Sequence, residues 1–298
     1  MRKLFLYFLL ILTAIFWGSS WVVVKHLTAD LDPVIIATGR FLLLSLMFIP
    51  VVLWLHLKGE RLELKDVGAL ALLGVFGVAL LYILQYYGVN LTTAINASLM
   101  TTFNPTVTLL LSSLFLHERV SNKKIAAILI AFLGAFLVIT NGDMSFGTRM
   151  NDIIGSLLSL ASTCCWAVYT VMSKKAVEKH SALFLVAYTS IFGTLFLLPV
   201  ASLNPAAAKL LSLSFSDGAW LLYLALTCTV FGYFAWSYSL ERIDASQAAI
   251  FIYLVPLSSI LLSYIFLGEH LTPYSTLGAL LIFAGVYYST REANSEKY

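Results

Sequence analysis

The chain has 298 residues, 60% of them hydrophobic and only 11% charged, with a formal net charge of +3. A soluble domain carries roughly a quarter charged residues, so this composition excludes an ordinary soluble fold. Runs of about 20 apolar residues recur down the chain, each long enough to cross a hydrocarbon core of roughly 30 Å as a helix. The fold class is an all-α polytopic membrane protein.

In chain order the runs fall at about 5–25, 33–55, 67–88, 93–115, 123–140, 153–173, 182–200, 219–239, 246–267 and 274–290, which makes ten transmembrane helices. The first follows Met1-Arg2-Lys3 and continues past Trp17 to Val24 without an Ala-x-Ala cleavage site, so it reads as a retained anchor. The split between the third and fourth rests on the turn-like stretch GVNLTTA, Gly88 to Ala94. Cys164, Cys165 and Cys228 have no metal-type spacing and read as small apolar fillers. No cofactor is implied.

Orientation follows from charge. With the amino terminus inside, the inner connections and tails hold Arg2, Lys3, Lys58, Arg61, Lys65, Arg119, Lys123, Lys124, Lys174, Lys175, Lys179, Arg242, Arg291 and Lys297. The outer connections hold Lys25, Arg149 and Lys209. Fourteen against three puts both termini in the cytoplasm. The positive balance is therefore topological and does not indicate a nucleic-acid partner.

The chain also repeats itself. AINASLMTTFNPTVTLLLSSLFLHE (Ala94 to Glu118) and ASQAAIFIYLVPLSSILLSYIFLGE (Ala245 to Glu269) lie 151 residues apart, with Pro105 matching Pro256 and Asn96 matching Gln247. Trp17 matches Trp166, Lys25 matches Lys174 and Pro50 matches Pro199, all at 149. Each half holds five spans, and an odd number makes the halves cross in opposite senses. Two inverted halves that exchange unequal conformations are the basis of alternating access.

These features resemble the drug/metabolite transporter superfamily, and within it the bacterial ten-helix carriers with paired EamA domains. The resemblance rests on AIFWGSSWVVVK (Ala14 to Lys25), the small-residue-rich fourth span with its proline, and the FLHE and FLGE endings. It implies a first five-helix repeat over residues 1–142, an inverted second over 150–292 and a cytoplasmic tail at 293–298. It also implies a place in a bacterial cytoplasmic (inner) membrane and export of amino acids or similar small metabolites. Relatives that carry nucleotide-sugars or sugar phosphates keep a second substrate class open. The family's central cavity is lined by spans one, three, four, six, eight and nine. That places Trp17, Gln85, Tyr86, Asn96, Asn104, Trp166, Tyr169, Trp236, Gln247 and Tyr253 on the substrate path.

The residues support several of these on their own. Polar side chains in hydrocarbon turn inward or toward water, and Asn96 and Asn104 lie within about 80° of one another on an ideal helix. They serve either as cavity wall or as glue between helices. Trp17, Trp166 and the tyrosines form an aromatic wall or ordinary packing, whereas Trp21 and Trp220 suit the interfacial belt. Arg40 sits about 10 Å inside the outer boundary and either snorkels to it or contacts an anion. A cluster of cations would mark a carrier of phosphorylated solutes, and Arg40 is a single cation, which favours neutral, zwitterionic or aromatic solutes. Pro105 and Pro256 break their helices. Glu118 and Glu269 end theirs, as caps or as gate contacts, and Thr272-Pro273 is a helix start.

There is no H-E-x-x-H, G-x-S-x-G or Walker glycine pattern to suggest an enzyme. A signalling or structural bundle would have no need of inverted duplication. The expected partners are a small-molecule substrate and the lipid bilayer. With the pseudo-dimer contained in one chain, a monomer suffices.

Overall fold

The structure, a computed structural model, describes residues 2–104, 106–107, 122–142, 150–176, 179–240, 251–252 and 254–295. Every regular element among them is helical. α1 spans Arg2–Leu27 and α2 Pro33–Leu57. α3 runs as Leu64–Gly74, a π-helical stretch Val75–Ala79, and Leu80–Leu91. α4 is Ala94–Met100, continued by a 3-10 turn Thr101–Phe103. α5 is Asn122–Thr140, α6 Met150–Ala176 and α7 Ala182–Ser202. α8 runs as Phe215–Tyr223, a π-helical stretch Leu224–Phe231, and Gly232–Leu240. α9 is Leu254–Leu267 and α10 Pro273–Ser295.

The helix starts are written in the sequence. Asp32 accepts from the Val34 N–H at 2.8 Å, and Pro33 at the first helical position has no N–H to satisfy. Thr93, Ser181, Ser214 and Thr272 cap α4, α7, α8 and α10 by the same kind of bond, at 3.0–3.2 Å. The expected break between the third and fourth spans is present, with Thr92 extended between α3 and α4.

Six described helices are long and apolar enough to cross a membrane: Leu4–Leu27, Pro33–Leu57, Leu64–Leu91, Met150–Ser173, Ala182–Ser202 and Phe215–Trp236. Leu129–Thr140, Leu254–Leu267 and Pro273–Gly285 are shorter apolar helices. The sequence-predicted runs at 93–115 and 246–267 lie partly outside the described residues.

α3 packs along α6, α2 along α7, α1 along α8 and α9, and α5 along α10. With lipid as apolar as leucine, close backbone approach rather than hydrophobic burial holds such helices together. At the α5–α10 contact a Cβ on Gly134 would lie 2.5 Å from the Gly278 carbonyl oxygen, and one on Gly278 would lie 2.6 Å from that of Gly134. Only glycine at both positions permits this approach.

Three pairs of residues at the repeat spacing touch. Ser45 Oγ and Thr194 Oγ1, 149 apart in sequence, share a hydrogen bond at 2.8 Å. Tyr82 and Tyr233, 151 apart, share one between hydroxyls at 3.2 Å. The rings of Trp17 and Trp166 meet edge-on, with centroids 6.2 Å apart. The two π-helical stretches also begin 149 residues apart, at Val75 and Leu224.

Candidate functional site

A cavity of about 110 Å³ lies among α1, α2, α3, α4, α6, α8 and α9. Its wall is formed by Trp17, Ser20, Trp21, Arg40, Leu81, Tyr82, Gln85, Thr101, Asn104, Ser162, Thr163, Trp166, Tyr233, Ile252 and Val255. Arg40 is the charge in that wall, and no Asp or Glu stands beside it among the described residues.

Arg40 does not snorkel. It is 2% exposed, and its guanidinium turns into the bundle. Nε and Nη2 both donate to Thr229 Oγ1, at 3.0 and 2.5 Å, and Nη1 donates to the Tyr86 hydroxyl at 2.6 Å. The guanidinium carbon also lies 4.7 Å from the Tyr82 ring centroid and 5.4 Å from that of Phe41, within reach of the ring quadrupoles. The π-helical stretch of α8 helps place this contact. Thr229 is free to accept twice because its own hydroxyl proton goes to the Leu224 carbonyl five residues back, at 3.2 Å.

The same stretch anchors the aromatic wall. Trp17 Nε1 donates to the Cys228 carbonyl at 2.8 Å, and Cys228 Sγ donates back to the Phe16 carbonyl. Around Trp17 lie the rings of Trp166, Tyr233 and Trp236, with centroids 6.2, 6.1 and 5.6 Å away. Tilted and edge-on pairs of this kind are the favoured aromatic arrangements.

Of the sequence-predicted residues, Trp17, Gln85, Asn104, Trp166 and Arg40 meet at the cavity. Tyr86 stands behind it as Arg40's acceptor, and Trp236 stands behind Trp17. Tyr169 packs on the Trp166 ring at 5.2 Å and lines a smaller void beside Thr189 and Thr229. Asn96 lies elsewhere: its Oδ1 accepts from Ser275 Oγ at 3.3 Å, tying α4 to α10. Pro256 is buried in α9. Gln247, Tyr253, Pro105 and Glu118 lie outside the described residues.

Glu269 reaches across to another helix. Its two carboxylate oxygens accept from the Ala94 and Ile95 N–H groups, at 3.0 and 3.1 Å, at the start of α4. Lys25 serves the other side of the same break, donating to the Val89, Asn90 and Thr92 carbonyls at the end of α3. The charges of Glu269 and Asp152 both act on it.

Several wall residues were not singled out from the sequence. Trp21, expected at the interface, is buried and lines the cavity, while Trp220 is partly exposed as a belt residue would be. Tyr82 and Tyr233 carried a usable signal, since they match at the repeat spacing of 151. Ser162 and Thr163 carried none, and neither did Thr229 behind the wall, because hydroxyls recur along every span.

The model of the EamA-like transporter family matches residues 4–140 and again 153–291. An uncharacterized transporter of Archaeoglobus fulgidus is 32% identical over 286 residues, covering 95% of this chain and 96% of that protein. The uncharacterized transporter YyaM of Bacillus subtilis is 26% identical over 301 residues, covering 100% and 97%. A probable amino-acid metabolite efflux pump of Salmonella typhimurium is 29% identical over 287 residues, covering 94% and 93%. One solved crystal structure shares the fold, with a TM-score of 0.67 at 18% identity, covering 97% of this chain and 98% of the other.

Proposed function

Because the chain belongs to the EamA-like transporter family, we propose that it is a secondary carrier of small neutral, zwitterionic or aromatic metabolites. Amino acids and their analogues, moved outward by alternating access, are the leading class. The observation that carries this reading is the interior cavity, walled by the five indole or phenol rings of Trp17, Trp21, Tyr82, Trp166 and Tyr233 and by the polar groups of Gln85, Asn104 and Thr163. Such a wall in hydrocarbon costs stability unless it faces a polar or amphipathic occupant.

The mechanism rests on ten spans in two inverted halves, with both termini cytoplasmic and the protein in a bacterial inner membrane. The contacts Ser45–Thr194, Tyr82–Tyr233 and Trp17–Trp166 support it. A pseudo-two-fold axis between two repeats would bring equivalent residues together, and these three pairs favour an axis of that kind. Rocking one half against the other about that axis would open the site to each side in turn. The Salmonella relative's name, an amino-acid metabolite efflux pump, supports the substrate class and the outward direction.

A second reading, a carrier of phosphorylated or nucleotide-linked solutes, draws on Arg40 in the wall. The wall weighs against it, since Arg40 is its one cation among the described residues and a phosphorylated solute calls for a cluster of them. The test is uptake by proteoliposomes holding only this protein, offered a mixed panel of amino acids, nucleosides and sugar phosphates and read by mass spectrometry. Selective flux of amino acids or their analogues is the expected result. Flux of sugar phosphates alone would overturn the substrate class, and an absence of flux from every panel member would overturn the carrier reading for these solutes.

A further inference from the structure

Resting on the carrier reading, we infer that Arg40 is the anchor for a single carboxylate of the transported solute, so that the carrier selects monocarboxylates with an apolar or aromatic body. A guanidinium has five N–H donors and keeps its charge at every accessible pH. Three are used, on Thr229 and Tyr86. Two remain, on a group that borders the cavity.

Among the described residues the wall gives this charge no counter-ion. Tyr86 and Thr229 are neutral, and Tyr82 and Phe41 offer only ring faces. A buried cation is expensive unless paired, so an anionic occupant gains what the described wall leaves unsupplied. The two remaining N–H groups, one on each terminal nitrogen, match the two oxygens of a carboxylate. A phosphate dianion would bring a second charge that nothing in the described wall neutralises. The occupant therefore carries one negative charge.

The rest of the solute meets Trp17, Trp166 and Tyr233, whose faces and edges take an apolar body and also tolerate an ammonium through cation–π contact. Gln85, which makes no side-chain hydrogen bond to the protein among the described residues, is a second polar contact in the same wall. Thr229 and Tyr86 are positioning residues. They hold the guanidinium in place and do not themselves line the cavity.

The test compares L-phenylalanine with L-phenylalaninamide at mildly acidic pH, where both amines are protonated and the compounds differ in charge at the carboxylate alone. Binding to purified protein is read by tryptophan fluorescence and flux by proteoliposome uptake. The wild type should prefer the acid by about tenfold or more, the loss expected when a charge-assisted bond goes unmade. Arg40→Met should bring the two compounds together. Arg40→Lys, which keeps the charge and loses the fork, should weaken the acid while leaving the amide unchanged, and it serves if the methionine variant fails to fold. Equal affinity for acid and amide in the wild type, or a wild-type preference retained in Arg40→Lys and Arg40→Met, would overturn the inference. So would an absence of phenylalanine binding, whereas flux of other panel solutes would leave the carrier reading standing.

Discussion

Removing the Glu269 carboxylate should loosen the start of α4, a helix in the other half of the sequence. Glu269 accepts two backbone N–H bonds there, from Ala94 and Ile95. Bonds to a charged group contribute about 1.5–3 kcal/mol each, and loss of an N-cap costs about 0.5–2 kcal/mol. Thr93 still caps the Asn96 N–H in the variant, so part of the terminus stays satisfied. Glu269→Ala should therefore cost about 2 kcal/mol. Glu269→Gln, which keeps one acceptor oxygen but loses the charge that favours a helix N-terminus, should cost about half as much. The assays are thermal unfolding of the purified protein, with Tm lowered by about 4 °C for Glu269→Ala, and hydrogen exchange at the Ala94 and Ile95 amides. Faster exchange confined to the start of α4 is the expected signature. Unchanged exchange there, with Tm equal to wild type, would refute the capping argument.

Three further outcomes follow from the geometry. Tyr86→Phe removes an acceptor from a buried guanidinium and should cost about 1–3 kcal/mol in stability, read by thermal unfolding; an unchanged Tm would mean that another group takes the Arg40 donor. Gly278→Leu places a side chain against the Gly134 carbonyl and should part α5 from α10. That is measured as reduced yield of monodisperse protein, whereas Gly68→Leu, where the added carbon meets nothing, should express normally. Lys25→Met removes three bonds to the end of α3 and should raise exchange at the α3–α4 break alongside that seen for Glu269→Ala.

The membrane class and most helix starts were legible in the chain, because hydropathy and capping are local. Apolar runs set the spans, and an oxygen-bearing side chain before a run set its start, as at Asp32-Pro33 and Thr272-Pro273. The site was half legible. Trp17, Gln85, Asn104, Trp166 and Arg40 stood out as rare letters in greasy segments, and the structure gathers them. Asn96 stood out equally yet binds Ser275, since a polar residue in an apolar helix announces inward burial but not which inner wall it meets. Arg40's direction stayed open between snorkelling and an anion contact for a related reason. Its acceptors come from Tyr86 in α3 and Thr229 in α8, which no sequence spacing connects to it. Thr229 depends on a π-helical stretch, where the facing of each residue departs from the regular 3.6-residue period.

The central claim, that the cavity opens to each side of the membrane in turn, is tested most directly by thiol accessibility at Gln85→Cys. The native Cys164, Cys165 and Cys228 are free and would first be replaced by alanine. Right-side-out and inside-out vesicles would then be treated with a membrane-impermeant maleimide, with and without a transported solute. The account predicts labelling from both sides, slowed from both by the solute. Labelling from one side alone, unchanged by solute, would contradict it.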